Sequence, residues 1–352
     1  MERHFYLGAN TPYGFYSYYD SLISQNDAKK IYCIKGGPGT GKSSFMKDIA
    51  KEMIHKEYDI EFIHCSSDDN SLDGVVIKEL GTALVDGTSP HIVDPKNPGA
   101  TDTILNFSDY WNESGILKNR EKIMLCSDLI KDCYSRAYGY LSAAGKIYDA
   151  AENEYKKIYD EYDALSFFEN VILRKIREYP VAYKKGKKRK LFASAVSPSG
   201  MVNRLDTLFE GYETYSLKGY TFNLLSHVAD AASARGIDSE MYFCPMNPAV
   251  KCEHLIIPKL KTAFSVSNEF HSFKNGKTID FEIDKKAGDK SYDIININRE
   301  ICKNLFDEAL KNIREAKSIH DELESYYVPN MDFASLDAAK IKIINQILEI
   351  AN

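Results

Sequence analysis

Short apolar runs and amphipathic stretches follow one another in an order that repeats between the two halves of the chain. In the first half, the runs IYCIK (31–35) and IEFIHC (60–65) flank SSFMKDIAKEM (43–53), whose apolar residues recur at helical spacing. In the second half, TYSLKG (214–219) and SEMYFC (239–244) flank another helix-like stretch. Strands that alternate with helices predict an α/β fold with parallel sheets covered on both faces.

Each half also contains a long helical region. No proline occurs between Pro98 and Pro180, and apolar residues recur three and four positions apart within that interval. This apolar stripe consists of Ile147, Ala151, Tyr155, Ile158, Tyr162, Leu165 and Phe168. A comparable stripe near the C-terminus consists of Ile301, Leu305, Ile313, Ala316, Leu323 and Tyr327. We interpret both stripes as core or helix-pairing surfaces.

Direct comparison of the two halves indicates an internal duplication. With an offset of 186 residues, six identities align in order between 3–22 and 189–208: Arg3 with Arg189, Ala9 with Ala195, Pro12 with Pro198, Gly14 with Gly200, Asp20 with Asp206, and Leu22 with Leu208. With a slightly shorter offset, IYCIKG aligns with TYSLKG and Cys65 with Cys244. The sequence therefore predicts two tandem copies of one α/β unit.

The duplication predicts the domain division. We expect a first domain over 1–183 with a helical insertion at about 117–180, a basic linker over 184–190, and a second domain with a helical tail over 191–352. The linker sequence KKGKKRK could contact a nucleic acid or an acidic partner. A solvated linker is the favoured interpretation, because the net charge of the chain is −6.

Composition narrows the class of protein. The 352 residues are 44% apolar and 27% charged, without an apolar run long enough to span a membrane or an N-terminal secretion signal. The seven cysteines form no CxxC pair, which favours neither a disulfide framework nor a zinc ribbon. These features predict a cytoplasmic protein that makes no membrane contact.

The sequence GGPGTGKS (36–43) carries the clearest chemical signal. It matches GxxxxGK[ST], follows a predicted strand and precedes a predicted helix, as a phosphate-binding loop requires. Glycines allow successive N–H groups to converge on a phosphate at the start of a helix. The expected nucleotide-binding residues are Gly36, Gly37, Pro38, Gly39, Thr40, Gly41, Lys42, Ser43 and Ser44. We expect Lys42 to act on the β and γ phosphates and Ser43 to bind Mg²⁺.

Carboxylates in two regions could complete this site. Asp86, in TALVDGTSPH (82–91), could hold Mg²⁺ from the end of a strand; the alternative is an ordinary Asp-Gly turn. Asp68 and Asp73, in HCSSDDNSLDG, could position the attacking water or hydroxyl; the alternative is helix capping in a solvated loop. We predict Asp86 as a metal ligand, and Lys42, Asp68 and Asp73 as the catalytic residues.

Features that are missing from the sequence restrict the type of nucleotide site. No apolar strand ends in Asp-Glu, the pair expected in AAA+ ATPases; YDEYD (159–163), FDEAL (306–310) and HDELE (320–324) lie in polar helical sequence. No NKxD-like guanine-binding motif follows a strand in the first copy. ATP is therefore the expected nucleotide.

Several segments together resemble a family of duplicated P-loop ATPases from low-GC Gram-positive bacteria. The segments are IYCIKGGPGTGKSSFMKDIA, HCSSDDNSLDGVVIKEL, VDGTSPHIVDPKNPGATD and RKLFASAVSPSG, and the resemblance extends over most of the chain. It implies a cytoplasmic ATP-binding protein with a phosphate-binding loop in each half. The second half departs from that pattern, because the alignment of KGYTFNLLSHVADAA with the loop of the first half has a four-residue gap, which places Tyr220 and Thr221 opposite Gly41 and Lys42.

These observations predict an Mg²⁺-dependent ATP hydrolase whose first copy couples hydrolysis to a conformational change against a degenerate second copy. Two alternatives stay open: a small-molecule kinase that transfers the γ-phosphate to an acceptor, and a non-catalytic ATP-binding protein that interacts with a partner. The identity of the protein or small-molecule partner does not follow from the sequence.

Overall fold

The computed structural model describes residues 1–89, 93–158, 161–219, 223–268, 270, 273–281 and 290–351. The strands of the first half are β1 (Glu2–Phe5), β2 (Gly8–Thr11), β3 (Gly14–Ser17), β4 (Lys30–Lys35), β5 (Ile60–His64), β6 (Leu72–Ile77), β7 (Thr82–Asp86) and β8 (Asp102–Asn106). The strands of the second half are β9 (Lys188–Leu191), β10 (Ser194–Ser197), β11 (Gly200–Asn203), β12 (Glu213–Lys218), β13 (Ser239–Phe243), β14 (Cys252–Ile257), β15 (Thr262–Val266) and β16 (Lys277–Asp280).

Nine helices complete the described part of the chain. They are α1 (Lys42–His55), α2 (Glu113–Leu117), α3 (Arg120–Tyr155), α4 (Glu161–Phe168), α5 (Arg174–Arg177), α6 (Leu205–Leu208), α7 (Leu224–Ser233), α8 (Lys290–Tyr327) and α9 (Phe333–Glu349). A π-helical turn over Glu169–Leu173 joins α4 to α5. None of these helices combines the length and the apolar character needed to cross a membrane.

The two halves contain six-stranded sheets with matching strand order. The first sheet has the order β1-β5-β6-β7-β4-β8, and the second has the order β9-β13-β14-β15-β12-β16. Parallel and antiparallel pairings occur at the same places in both sheets. Each half also has a small antiparallel hairpin, β2-β3 or β10-β11. This agreement is the structural counterpart of the duplicated sequence.

The α/β class is confirmed, but both sheets are mixed rather than parallel. In the first sheet, β6 runs antiparallel to its neighbours β5 and β7. Only short connections separate these three strands, and the second of them is the 3-10 turn Lys78–Leu80. A short connection returns the chain in the opposite direction, whereas a parallel neighbour requires a long crossover. The predicted strand–helix–strand pattern applied to β4, α1 and β5, and it missed the strands β6 and β14.

The long helices α3 and α8 pack against each other in opposite directions. Cys302 of α8 lies against the Ala144 carbonyl of α3, and Arg136 of α3 donates to Asn312 of α8 at 2.7 Å. The contact buries Leu141 of α3 and Phe306 of α8. Both apolar stripes therefore form a helix-pairing surface in part, although Tyr162, which was assigned to the first stripe, is 80% exposed.

The short helices that follow α3 and α8 are exchanged between the halves. Leu336, Ile343 and Ile347 of α9 pack with α1 on the core of the first sheet. Phe168 of α4 packs in the core of the second sheet with Leu225 of α7. The division at 1–183 and 191–352 assigned each helical region to its own half, whereas each half is covered by helices that come from the other.

The expected basic linker over 184–190 is partly a strand. Its last three residues belong to β9, which pairs in parallel with β13. The guanidinium of Arg189 is largely buried and donates to Glu61 of the first half at 2.9 Å. Lys188 forms an ion pair with Asp230. The segment therefore ends as a strand of the second sheet with Arg189 held between the halves, whereas its other basic residues, Lys184, Lys185, Lys187, Lys188 and Lys190, are exposed.

Candidate phosphate-binding site

The glycine-rich segment lies where the sequence predicts it, between strand β4 and helix α1. Gly41 is the N-cap of α1 with φ +87°, and Gly39 has φ +65°. Both values lie in the left-handed region, which a residue with a Cβ rarely adopts. Thr40 is buried, and its hydroxyl donates to the Gly37 carbonyl at 2.8 Å, which fixes the turn. The loop thus presents backbone N–H groups at the beginning of a helix, as an anion site requires.

Lys42 folds over this loop. Its ammonium donates to the carbonyl oxygens of Gly37 at 2.8 Å and Gly36 at 3.2 Å. The same ammonium lies 3.6 Å from Oδ2 of Asp86, and both side chains are largely shielded from solvent. The positive charge is therefore at the mouth of the loop, between the loop backbone and a carboxylate.

Asp86 occupies the last position of β7, the strand next to the loop strand β4. Strands β4 and β7 are parallel, with Ile34 opposite Asp86. Because parallel strands end at the same edge of a sheet, this pairing brings the carboxylate to the base of the loop. Its Oδ1 accepts from the Thr88 N–H at 2.9 Å. This hydrogen bond forms the Asp-Gly turn that was the alternative interpretation of Asp86. Asp86 therefore forms the turn and also lies beside the loop.

Ser43 joins the loop to strand β6. Its hydroxyl oxygen accepts a hydrogen bond from the Leu72 N–H at 2.9 Å. The site therefore offers a hydroxyl oxygen and a carboxylate on neighbouring elements, the oxygen ligands that Mg²⁺ prefers. Ser44, the next residue, is exposed on the first turn of α1.

The two other predicted carboxylates have different surroundings. Asp73 is buried, and one of its oxygens accepts from the Tyr19 hydroxyl at 2.9 Å. Asp68 organises the loop before β6, where it accepts from the Asn70 N–H and from the Ser71 hydroxyl, each at 3.0 Å. Burial alone would raise the pKa of Asp68, but these hydrogen bonds and Lys317 hold it below the ordinary value. Their assigned catalytic roles stay predictions.

The second half lacks the charged groups of this site. Gly219 follows β12 with φ +87°, and Asn223, the N-cap of α7, has φ +68°. Tyr220 and Thr221, which the sequence alignment places opposite Gly41 and Lys42, lie outside the described residues. That alignment needs correction, because the N-caps of the two helices make Asn223 the counterpart of Gly41 and Leu224 the counterpart of Lys42. Strands β12 and β15 pair with Leu217 opposite Val266, so an apolar side chain stands at the position equivalent to Asp86.

A segment from the C-terminal part of the chain covers the phosphate-binding loop, which sequence reasoning missed. One carboxylate oxygen of Glu324 accepts from the Gly39 N–H at 3.1 Å. A methyl group placed on Gly37 would lie 2.8 Å from the Tyr327 ring, and one placed on Gly39 would lie 2.9 Å from the Val328 side chain. Glu324 belongs to HDELE, which the sequence placed in a polar helix. Because 285 residues separate Glu324 from Gly39, no local pattern could indicate the contact.

Beside Glu324, α8 carries a cluster of three His, Asp and Glu side chains whose ligand atoms are close enough to hold a metal ion. One ligand atom from each of His320, Asp321 and Glu324 lies within 4.8 Å of the others. Burial lowers the pKa of His320, so the imidazole is neutral at neutral pH. Glu324 is already hydrogen-bonded to Gly39, so the group belongs to the surroundings of the loop rather than to a separate centre.

Comparison with known proteins identifies no relative. No protein family matches the chain, and searches of curated proteins and of solved structures found no match. The functional interpretation therefore depends on the geometry of the site and on the sequence motif.

Proposed function

We propose that the first half binds Mg·ATP at residues 36–43 and hydrolyses it, and that hydrolysis drives a movement of the first half relative to the second. The observation that carries this proposal is the contact between Lys42 and Asp86 at 3.6 Å. It unites a glycine-rich strand-to-helix loop, its lysine and a carboxylate at the end of the adjacent parallel strand. This combination matches the parts that P-loop NTPases use to hold a nucleotide and its metal ion.

Each residue of the site then has a defined role in binding or hydrolysis. The N–H groups of the loop and the start of α1 attract the phosphates, and Lys42 exchanges its present carbonyl partners for phosphate oxygens. Ser43 and Asp86 would hold Mg²⁺, which neutralises phosphate charge when it is bound. Asp73, buried near the same sheet edge, is the carboxylate that we assign to orient the attacking water.

The carboxylate beside Lys42 favours a nucleotide site over a purely structural turn. A glycine-rich turn that binds nothing needs neither a lysine folded over its carbonyls nor a shielded acid next to that lysine. Removal of two charges from water costs free energy, which a structural turn could avoid with apolar side chains. The charges of Lys42 and Asp86 are therefore best explained by a charged ligand.

ADP release distinguishes the three functional alternatives. The full chain is incubated with Mg·ATP in the absence and presence of a panel of small hydroxylated acceptors, with Lys42→Ala as the control for contaminating activity. Acceptor-independent ADP release that Lys42→Ala abolishes is the expected result. Release that requires an acceptor would assign a kinase instead, and binding without release would assign a non-catalytic nucleotide-binding protein.

A further inference from the structure

The carboxylate of Glu324 occupies a hydrogen-bonding position that the loop offers to a phosphate. The Gly39 N–H is one of the backbone donors of the glycine-rich loop, and its partner is a carboxylate oxygen at 3.1 Å. A loop of N–H groups at the start of a helix selects negative charge, whether it belongs to a phosphate or to a carboxylate. Glu324 therefore satisfies one of the backbone donors of the loop.

The residues that follow Glu324 close over the same loop. Tyr327 lies against Gly37, Val328 lies against Gly39, and Phe333 lies 3.3 Å from the position of a methyl group on Gly41. We name residues 324–333 the covering segment. It is anchored at its far side to the first half, because the Asn112 N–H donates to the Asn330 carbonyl and the Asp332 N–H donates to the Tyr110 carbonyl, both at 2.7 Å.

We propose that Glu324 is an internal competitor for the phosphate site, and that Mg·ATP binding displaces it together with the end of α8. This inference rests on the proposed function and extends it to regulation. A triphosphate beside Gly39 would remove the hydrogen bond to Glu324 and place like charges together, so the two anions exclude each other. The carboxylate lowers the apparent affinity for nucleotide by stabilising the state that cannot bind it.

The end of α8 is connected to the second half through α3. Glu324 lies near the C-terminal end of α8, and α8 packs along α3 over most of its length. At the other end of α3, Lys251 of the second half pairs with Glu152 of α3 at 2.9 Å. Movement of α8 would thus be transmitted to α3 and to the second half, which gives a route by which the nucleotide would move one half relative to the other.

The chain contains its own reporter of this movement. Trp111 is the single tryptophan, and its ring lies 6.1 Å from that of Tyr327, centroid to centroid. Displacement of the covering segment changes the surroundings of this indole, and its emission reports the change without an added label. Lys42→Ala is the control, because it impairs the loop site. An emission change that persists in this variant is an optical effect of the added ATP and not a response to binding.

The test compares Glu324→Gln with Glu322→Gln in the full-length chain. Glu322 is exposed two positions away and bonds only locally, to the Tyr326 hydroxyl at 2.7 Å, so its substitution removes the same charge from the same helix. Mg·ATP binding is measured by calorimetry and by Trp111 emission. Glutamine keeps an acceptor oxygen for the Gly39 N–H but removes the negative charge, and replacement of a charge-assisted hydrogen bond by a weaker neutral one predicts about tenfold tighter binding for Glu324→Gln. The same variant is expected to melt at a lower temperature without nucleotide, and Glu322→Gln to match the wild type.

Three outcomes decide the matter. Tighter binding by Glu324→Gln alone, with a nucleotide-dependent change in Trp111 emission that Lys42→Ala abolishes, supports the proposal. Equal affinities for the wild type and Glu324→Gln, together with unchanged emission, overturn the proposal for Glu324. The binding of Mg·ATP would still support the proposed function. If neither the wild type nor Glu324→Gln binds Mg·ATP, the proposed function fails and the proposal fails with it.

Discussion

Tyr6 and Phe192 donate backbone hydrogen bonds to each other. The Tyr6 N–H donates to the Phe192 carbonyl at 2.9 Å, and the Phe192 N–H donates to the Tyr6 carbonyl at 3.0 Å. The two residues are equivalent under the 186-residue offset of the duplication. Reciprocal contact between equivalent positions is the mark of a two-fold arrangement. The halves are therefore related by an approximate two-fold axis at this pair.

A cluster of buried charges repeats the same symmetry. Arg3 and Arg189 are equivalent, and Glu61 and Glu240 hold the second positions of IEFIHC and SEMYFC. Each arginine donates to the glutamate of the other half at 2.9 Å. Burial opposes ionisation of both carboxyl groups, but the arginines hold the pKa of each below its ordinary value. Glu61 also pairs with Arg3 and Lys78 of its own half, so the cluster is a continuous network of charges that joins the two halves.

Glu240→Gln is expected to lower the free energy of unfolding by about 3 kcal/mol or more at neutral pH, because it leaves buried arginine charge without its full partner. The wild type should also lose stability in acid. Since the folded pKa of Glu240 lies below the ordinary value of 4.5, its contribution is present above about pH 4.5 and is lost as the pH falls through the folded pKa. Glu240→Gln should flatten this acid dependence in urea unfolding.

The control is Glu169→Gln, because Glu169 pairs with Arg177 on the surface. Surface ion pairs contribute little to stability, so this variant should unfold like the wild type. Equal stability of Glu240→Gln and Glu169→Gln at neutral pH would contradict the role of the buried cluster.

The exchange of helices predicts that α9 stabilises the first half. Ile347 is fully buried in the first core, whereas Ile341 on the same helix is 59% exposed. Ile347→Ala should lower the free energy of unfolding by about 2–5 kcal/mol through lost burial and a cavity. Ile341→Ala, the matched control, should change it little. Denaturant unfolding measures both, and similar losses for the two variants would argue against the packing of α9 on the first sheet.

The elements near the loop were predictable because their signals are local. The run IYCIK, the glycines and the amphipathic stretch after them lie within 25 consecutive residues and form β4, the loop and α1. Asp86 was found because it ends an apolar run. By contrast, β6 contains Asp73 and Gly74, which weaken its strand pattern. The contact of Glu324 with Gly39 depends on tertiary packing, which the periodicity of α8 does not contain.

The proposed nucleotide site predicts a specific loss in Lys42→Ala. At about 100 times its dissociation constant, a ligand stabilises the native state by roughly 2.7 kcal/mol. The wild type should therefore melt at a higher temperature with Mg·ATP, and Lys42→Ala should lose most of this shift because it lacks the cation of the loop. Lys51→Ala, an exposed position on α1, should keep the full shift. If all three proteins respond alike, the nucleotide does not bind at this loop.

Asp86→Asn tests the metal assignment at constant size. We expect it to raise the Mg²⁺ concentration needed for half-maximal ATP hydrolysis by roughly tenfold or more, because an amide oxygen carries no charge to hold the ion. Asp94→Asn is the control, since Asp94 is exposed and pairs with Lys35, whereas Asp86 lies beside Lys42. A magnesium titration of the hydrolysis rate provides the measurement. An unchanged requirement in Asp86→Asn would exclude this residue from the metal site.

The second half is expected to bind no nucleotide. Val266 stands where the first half has Asp86, and Leu224, not a lysine, begins the helix that corresponds to α1. Without a lysine, consecutive glycines or a carboxylate at these positions, neither phosphates nor a metal ion would be held. Calorimetric titration of the full chain with a non-hydrolysable ATP analogue should therefore give one site per chain, and Lys42→Ala should leave none. A second site that survives Lys42→Ala would place nucleotide in the second half and would make the two copies functionally equivalent.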